Sequence, residues 1–152
     1  MPNQEKIKEQ IQKLLGLLGV AGSIIIEDRA GSLVFNIKTE DSRLLIGQHG
    51  ANLNALQHLA RLLARKELGA EEQMVEFFLD VEDYRKNREE FLNELARQAA
   101  SRVRDTKQTL ILKPMSGYDR YVIHSFLAKT DDLATESIGE EPERRIVIKL
   151  KA

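Results

Sequence analysis

The sequence predicts an α+β protein of two abutting modules, each a small sheet packed on helices. Three observations predict it. Short β-rich runs alternate with amphipathic helical stretches along the whole chain; no Gly/Ser/Pro-rich linker, repeat or low-complexity tract interrupts it; and a complete set of strands and helices ends near residue 81. The first module is therefore expected over residues 1–81 and the second over 82–152.

The first element is a helix. Lys6, Lys8 and Lys13 precede the apolar run Leu14 to Val20, as in a secretory leader, but Glu5 and Glu9 fall among the lysines. Ile7, Ile11, Leu14, Leu15 and Leu18 recur at helical spacing, so an amphipathic helix is expected, stopped by Gly19 and Gly22. Ser23 to Glu27 and Leu33 to Lys38 then read as strands of a hairpin around Asp28-Arg29-Ala30-Gly31. A helical stretch from about Ser42 to Leu68 is broken at Gly47 and Gly50, and Met74 to Val81 reads as a third strand, with Val75, Phe77 and Leu79 alternating against Glu76, Phe78 and Asp80.

The second module begins with a helix from about Asp83, its apolar side carrying Tyr84, Phe91, Leu92, Leu95, Ala96, Ala99 and Val103. Thr109 to Leu112 is a strand ended by Pro114. Ser116 and Asp119 form a capping-box pattern that opens a helix to about Lys129. Leu133 to Ser137 and Arg145 to Leu150 close the chain as strands.

Composition narrows the function. With 42% hydrophobic residues in 152, a core can form without staples, and zero Cys removes disulfides, thiolate metal sites and thiol catalysis. Three His make a multi-histidine metal centre a poor reading, so no cofactor and no metal are expected. No run reaches the ~18 apolar residues of a membrane span, so no direct membrane insertion is expected. The 23 Lys+Arg against 24 Asp+Glu exclude a uniformly basic coat but not a local basic face. Residues 97–120 hold Arg97, Arg102, Arg104, Lys107, Lys113 and Arg120 against Asp105 and Asp119, a net +4 in a chain of net −1. Negative charge is displaced into Glu71-Glu72, Asp131-Asp132 and Glu140 to Glu143.

Two constellations carry chemistry. The first is Ile46-Gly47-Gln48-His49-Gly50, a Gly-x-x-Gly loop between helices, followed by Leu53. Its glycines would let a sugar-phosphate strand approach the N-terminus of the next helix, while Ile46 and Leu53 would help line a groove for bases. On that helix Leu53, Leu56, Ala60 and Leu63 make the buried stripe. Asn54, His58, Arg61 and Arg65 read either as a solvated face or as a positive wall beside the groove. The loop between its helices, with a hairpin upstream, is the arrangement expected of a KH module of type II.

The second constellation is Arg120 and His124, four residues apart on one helical face. It reads either as a local cation and imidazole pair or as a phosphate site with Arg97, Arg104 and Lys107. Catalysis is not expected, because neither a Cys, a carboxylate dyad nor a Gly-x-Ser-x-Gly elbow accompanies the pair. Tyr118 and Tyr121 are the aromatics near the basic segment that would stack on bases.

Leu112-Lys113-Pro114-Met115, Tyr118-Asp119-Arg120 through His124, Thr135-x-Ser137-x-Gly139-Glu140 and Arg144 to Ile148 resemble the Arg-x3-His (R-3-H) domain of the Jag proteins. These are bacterial KH plus R-3-H proteins named for association with the SpoIIIJ membrane insertase. The Gly-x-x-Gly loop with Asn54 to Leu59, and the junction Asp80 to Arg88 containing Asp83-Tyr84-Arg85, are similar to the KH half of the same family. The resemblance runs from about residue 22 to the C-terminus. It implies a cytoplasmic protein that binds single-stranded RNA or ssDNA, regulates envelope growth, division or sporulation, and works with a small KH-only protein or as a homodimer. Two departures stand out. Family members commonly carry a further small N-terminal domain, which this chain is expected to lack, and Gln48 and His49 stand where a KH loop usually offers Lys or Arg. The competing expectation is a protein-interaction scaffold with a vestigial groove.

Overall fold

The computed structural model describes residues 2–69 and 76–152. The chain divides into two compact units, residues 1–85 and 86–152. The first contains α1 (Pro2–Leu17), β1 (Ser23–Arg29), β2 (Ser32–Lys38), α2 (Ser42–Ile46), a 3-10 turn (Gln48–Gly50), α3 (Ala51–Leu68) and β3 (Phe77–Val81). α4 (Tyr84–Thr106) starts at its end and runs into the second unit, which continues with β4 (Leu110–Ile111), α5 (Gly117–Leu127), β5 (Leu133–Ile138) and β6 (Arg145–Leu150).

α1 buries Ile7, Ile11 and Leu15 but stops at Leu17, leaving Leu18 half-exposed rather than on the core side. The stop is a Schellman closure: Gly19 N–H donates to the Gly16 carbonyl, Val20 N–H donates to that of Leu15, and Gly19 takes φ +72°. β1 extends past the expected end to Arg29, because the hairpin turn needs only Ala30 and Gly31, both at positive φ (53° and 87°). That is the handedness that matches strand twist in a two-residue turn.

The sheet order is β1-β2-β3, with β2 antiparallel to β1 and parallel to β3. Central β2 buries Val34, Phe35, Asn36 and Ile37, and α1, α3 and the sheet share one core. Two expectations for β3 are corrected. Of the expected start, Met74 and Val75 lie outside the described residues, as do Glu71 and Glu72; Glu76 is described and precedes the strand, which begins at Phe77. Asp80, expected on the polar face, is buried because Arg29 reaches it. In α3 the buried stripe is Leu53, Leu56, Ala60 and Ala64, with Leu63 only partly covered.

In the second unit the sheet order is β4-β6-β5, all antiparallel, and β6 supplies Ile146 and Ile148 to the core. α4 contributes Leu92, Ala96, Ala99, Ala100 and Val103, and α5 contributes Val122, Ile123 and Leu127. Phe91, expected on the buried side, is exposed and carries the Arg88 guanidinium 5.3 Å from its ring centroid. β4 is two residues long, shorter than expected. Ser116 caps α5 by accepting from Asp119 N–H at 3.2 Å, but the Asp119 side chain does not return the contact: it is buried against Arg88. α5 ends at Leu127, two residues early, where Thr130 N–H and Oγ1 both donate to the Leu127 carbonyl. Among the described residues no helix is long and apolar enough to cross a membrane.

Candidate functional site

The Gly-x-x-Gly loop is shaped by two close approaches. Asn52 Nδ2 donates to the Leu44 carbonyl at 2.8 Å and so closes the C-terminus of α2. This side chain lies against Gly47 so closely that a Cβ there would fall 2.5 Å from Asn52 Cγ. Gly47 also adopts φ +69°, ψ −171°, a region open essentially to glycine alone. Gly50 takes φ +81°, and a Cβ on it would meet the Tyr84 ring at 3.1 Å. Gln48 and His49 between them are exposed, His49 in the left-handed region at φ +53°. No side chain caps the N-terminus of α3; the Ala51 N–H donates to the Gln48 carbonyl, so the helix starts directly against the loop.

Around the loop, two expected residues, Leu53 and Arg61, fall elsewhere. Leu53 is 1% exposed, a core residue rather than a groove lining, because it shares the inward stripe of α3 with Leu56 and Ala60. Ile46 is half-buried against the same core. His58 is exposed, whereas Arg61 is turned to the sheet: it donates to the Phe77 carbonyl (Nη2 at 3.1 Å) and lies over the Phe78 ring at 5.3 Å. With Gln57 accepting from Leu79 N–H and Arg85 donating to the Leu79 carbonyl, Arg61 closes an edge of β3 instead of forming a positive wall.

In the second unit, α5 and the β5–β6 ribbon enclose an open cavity of about 270 Å³ lined by Gly117, Arg120, Tyr121, His124, Thr135, Glu136, Ser137, Arg144 and Ile146. Arg120 is held from behind: Nη1 donates to the Met115 carbonyl at 2.6 Å and to that of Arg144 at 3.4 Å, while Nη2 donates to Glu141 Oε1 at 2.5 Å. His124 Nδ1 pairs with Thr135 Oγ1. Arg144 Nε donates to Ser137 Oγ at 2.8 Å. Thr135, Ser137 and Arg144 fall in the motifs that resemble the R-3-H domain but are not among the expected binding residues. The signal that could have placed two of them is the i, i+2 spacing of the hydroxyls, which puts both on one face of β5.

The other basic residues of the segment do not line this cavity. Arg97 pairs with Glu94 at 2.9 Å and lies over Phe126 at 5.2 Å. Arg104 grips Asp132 with two hydrogen bonds of 2.7 and 2.9 Å; this pairing raises the guanidinium above its ordinary range and holds the Asp132 carboxyl below its own. Lys107 follows the last residue of α4 at φ +59°, its N–H donating to the Val103 carbonyl. Tyr118 packs half-buried against the core, whereas Tyr121 is 68% exposed. The net +4 segment is thus three separate clusters, because Arg97, Arg104 and Arg120 each meet a carboxylate of their own. Among the described residues no group of His, Asp and Glu is arranged to hold a metal ion.

Residues 90–150 match the family model of the R-3-H domain, which defines the second unit as a module of that class. Over almost the whole chain the similarity is to proteins named RNA-binding protein KhpB. That of Clostridium symbiosum is 34% identical over 150 residues, 97% of this chain and 66% of the relative. That of Lactiplantibacillus plantarum is 35% identical over 134 residues, 88% and 41%, and that of Bacillus subtilis is 30% identical over 149 residues, 97% and 70%. The chain belongs to the KhpB family. It spans less than two thirds of the length of the first two of these relatives.

Proposed function

We propose that this chain binds single-stranded RNA at two places and catalyses no reaction: a type II KH domain over 1–81 and an R-3-H domain over 82–152. The observation that carries the reading is the cavity of the second unit. It brings an arginine fork, an imidazole, two hydroxyls and an exposed tyrosine into one open site within the matched domain. Arg120 and Arg144 supply planar donors suited to phosphate oxygens, and Tyr121 supplies a face for a base. The order helix, strand, strand, helix, Gly-x-x-Gly, helix, strand, with β2 and β3 parallel, supports the KH reading of the first unit, as does the start of α3, which carries no side-chain cap, beside Gln48 and His49. The names of the KhpB relatives support RNA rather than DNA. Action in the bacterial cytoplasm in envelope growth, division or sporulation, with a small KH-only partner or as a homodimer, completes the proposal and rests on the Jag resemblance alone.

Fluorescence anisotropy with a single-stranded RNA tests it. A Gln48→Asp/His49→Asp variant places two carboxylates on the exposed tip without touching the glycines, and His49 is at a φ that Asp tolerates. It is expected to weaken binding about ten-fold or more with the fold intact, as fits the loss of favourable phosphate contacts and the gain of repulsion. Unchanged affinity sinks the assignment of the loop.

A second reading, a protein-interaction scaffold, is favoured by one observation: Leu18, Leu44, Leu45, Ala55, Leu56 and Leu59 line an apolar groove of about 390 Å³ in the first unit. Recovery of crosslinked protein without RNA from cells would favour it.

A further inference from the structure

The geometry assigns Glu141 as a built-in competitor for the phosphate that the Arg120 cavity takes, an acidic residue that sets the affinity of the site; this rests on the RNA-binding reading above. Arg120 presents two unlike edges. Nη1 is anchored on the Met115 and Arg144 carbonyls, which fixes the plane of the guanidinium. Nη2 faces away from that anchor, beside the first residue of α5, where a Cβ on Gly117 would come within 3.5 Å of it. The group occupying that outer edge is the Glu141 carboxylate, 2.5 Å away.

The two partners differ in burial: the Arg120 side chain is 12% exposed and that of Glu141 is 62% exposed. The arginine is therefore part of the framework, and the carboxylate is a tethered anion reaching it from the β5–β6 loop. A carboxylate and a phosphodiester offer a guanidinium the same thing, a negative oxygen at charge-assisted hydrogen-bond distance. For an RNA phosphate to bond Nη2, Glu141 must leave. The departing carboxylate swings into solvent, since its own exposure is high, while Arg120 stays in place on its carbonyls. Loop carboxylates nearby are not equivalent: Glu143 pairs with Arg145 at 3.4 Å, and it is Glu141, not Glu140, that pairs with Arg120.

The test compares the full chain with Glu141→Gln and Glu140→Gln. Both variants raise the net charge of the same loop by one. Glutamine at 141 keeps an oxygen acceptor for Nη2, so the loop retains its contact while the competing charge is gone. In anisotropy titrations with a single-stranded RNA, Glu141→Gln is expected to bind about two- to five-fold more tightly than Glu140→Gln, the range by which a semi-exposed ion pair shifts an equilibrium. Equal affinities of the two variants overturn the inference and leave the RNA-binding reading standing. Should no form bind RNA, that reading fails by itself and the inference is decided with inorganic phosphate, followed by the NMR signal of the Arg120 Nε–H. A shift at lower phosphate concentration in Glu141→Gln than in Glu140→Gln sustains it, and coincident titrations overturn it.

Discussion

Arg29 Nη1 lies 2.6 Å from Oδ2 of Asp80, a carboxylate with 0% exposure in β3. The other Asp80 oxygen accepts from Val81 N–H at 2.8 Å and from Arg85 N–H at 3.0 Å, so this one side chain ties the hairpin to the start of α4. Arg29 also reaches Glu27 and Asp83, and Asn36 donates to both of these. Glu82, at φ +49°, takes a left-handed backbone that glutamate rarely adopts, and the network around Asp83, which follows at φ +57°, holds it there. Arg29→Met removes the cation and leaves Asp80 buried and uncompensated, which costs about 3–5 kcal/mol when a buried pair loses one partner. Urea denaturation followed by circular dichroism is expected to show the first unit unfolding at much lower urea; a loss below about 1 kcal/mol would mean Asp80 does not depend on Arg29.

The same network gives the first unit an acid limb. The hydrogen bond from Asn36 holds the Glu27 carboxyl below its ordinary 4.5, with Arg29 adding to it against the cost of burial. For Asp83 burial pushes upward, but the Asn36 hydrogen bond and the charges of Lys38 and Arg29 outweigh it and leave the group below 3.8. Groups depressed in the folded state stabilise it fully above their unfolded values and stop doing so as pH falls through the folded ones. The thermal midpoint is therefore expected to stay level from pH 7 to about 5 and to fall below about 4.5, and Glu27→Gln is expected to make that fall shallower. An acid limb identical in the variant would show that Glu27 carries no part of it.

Which features were legible in the sequence follows from how local their causes are. The periodicity of Ile7, Ile11 and Leu15, the Ser116 cap and the two-residue positive-φ turn at Ala30-Gly31 all act within a few residues, so α1, α5 and the hairpin can be read from the chain. Asp80 and Asp119 were unreadable because each is buried by a cation 51 or 31 positions away, and alternation or capping patterns see only neighbours. The site divides in the same way. Arg120 and His124 meet because they are i, i+4 on one helix, whereas Thr135 and Arg144 join them only through the tertiary fold of α5 on the ribbon. Leu53 was misplaced for a different reason: spacing puts it on the core stripe and beside the loop at once, and packing decided in favour of the core.

Gly47 and Asn52 are expected to be coupled. Gly47→Ala meets both the glycine-only backbone and the Asn52 side chain, for a loss of about 1–3 kcal/mol from the backbone conformation alone. Asn52→Ala removes the Cγ and Nδ2 contacts along with the hydrogen bond to Leu44, so the double variant should lose less than the two single losses combined by about 0.5 kcal/mol or more. Strict additivity in denaturation midpoints would show that the loop relaxes around a Cβ. An aspartate at Gly47 would report this strain before it reported RNA binding, which is why the binding test belongs at Gln48 and His49.

Asp119 and Arg88 offer the corresponding test in the second unit. Asp119 Oδ2 is 2.5 Å from Arg88 Nη2, and Oδ1 lies 3.3 Å from Nε, so the carboxylate is gripped by a fork while itself 1% exposed. Arg88 also covers Phe91. Removing the arginine alone, as Arg88→Met, keeps the aliphatic cover of Phe91 but leaves a buried charge, and about 3–5 kcal/mol of destabilisation is expected. Removing both, as Arg88→Met/Asp119→Leu, takes away the uncompensated charge and supplies apolar volume, so most of that loss should return. Asp119 immediately precedes Arg120, and a second unit refolded in the double variant should keep its RNA affinity if the ion pair serves the fold alone. Recovered stability with lost affinity would instead show that Asp119 orients Arg120, and the pair would then belong to the binding site rather than to the core beneath it.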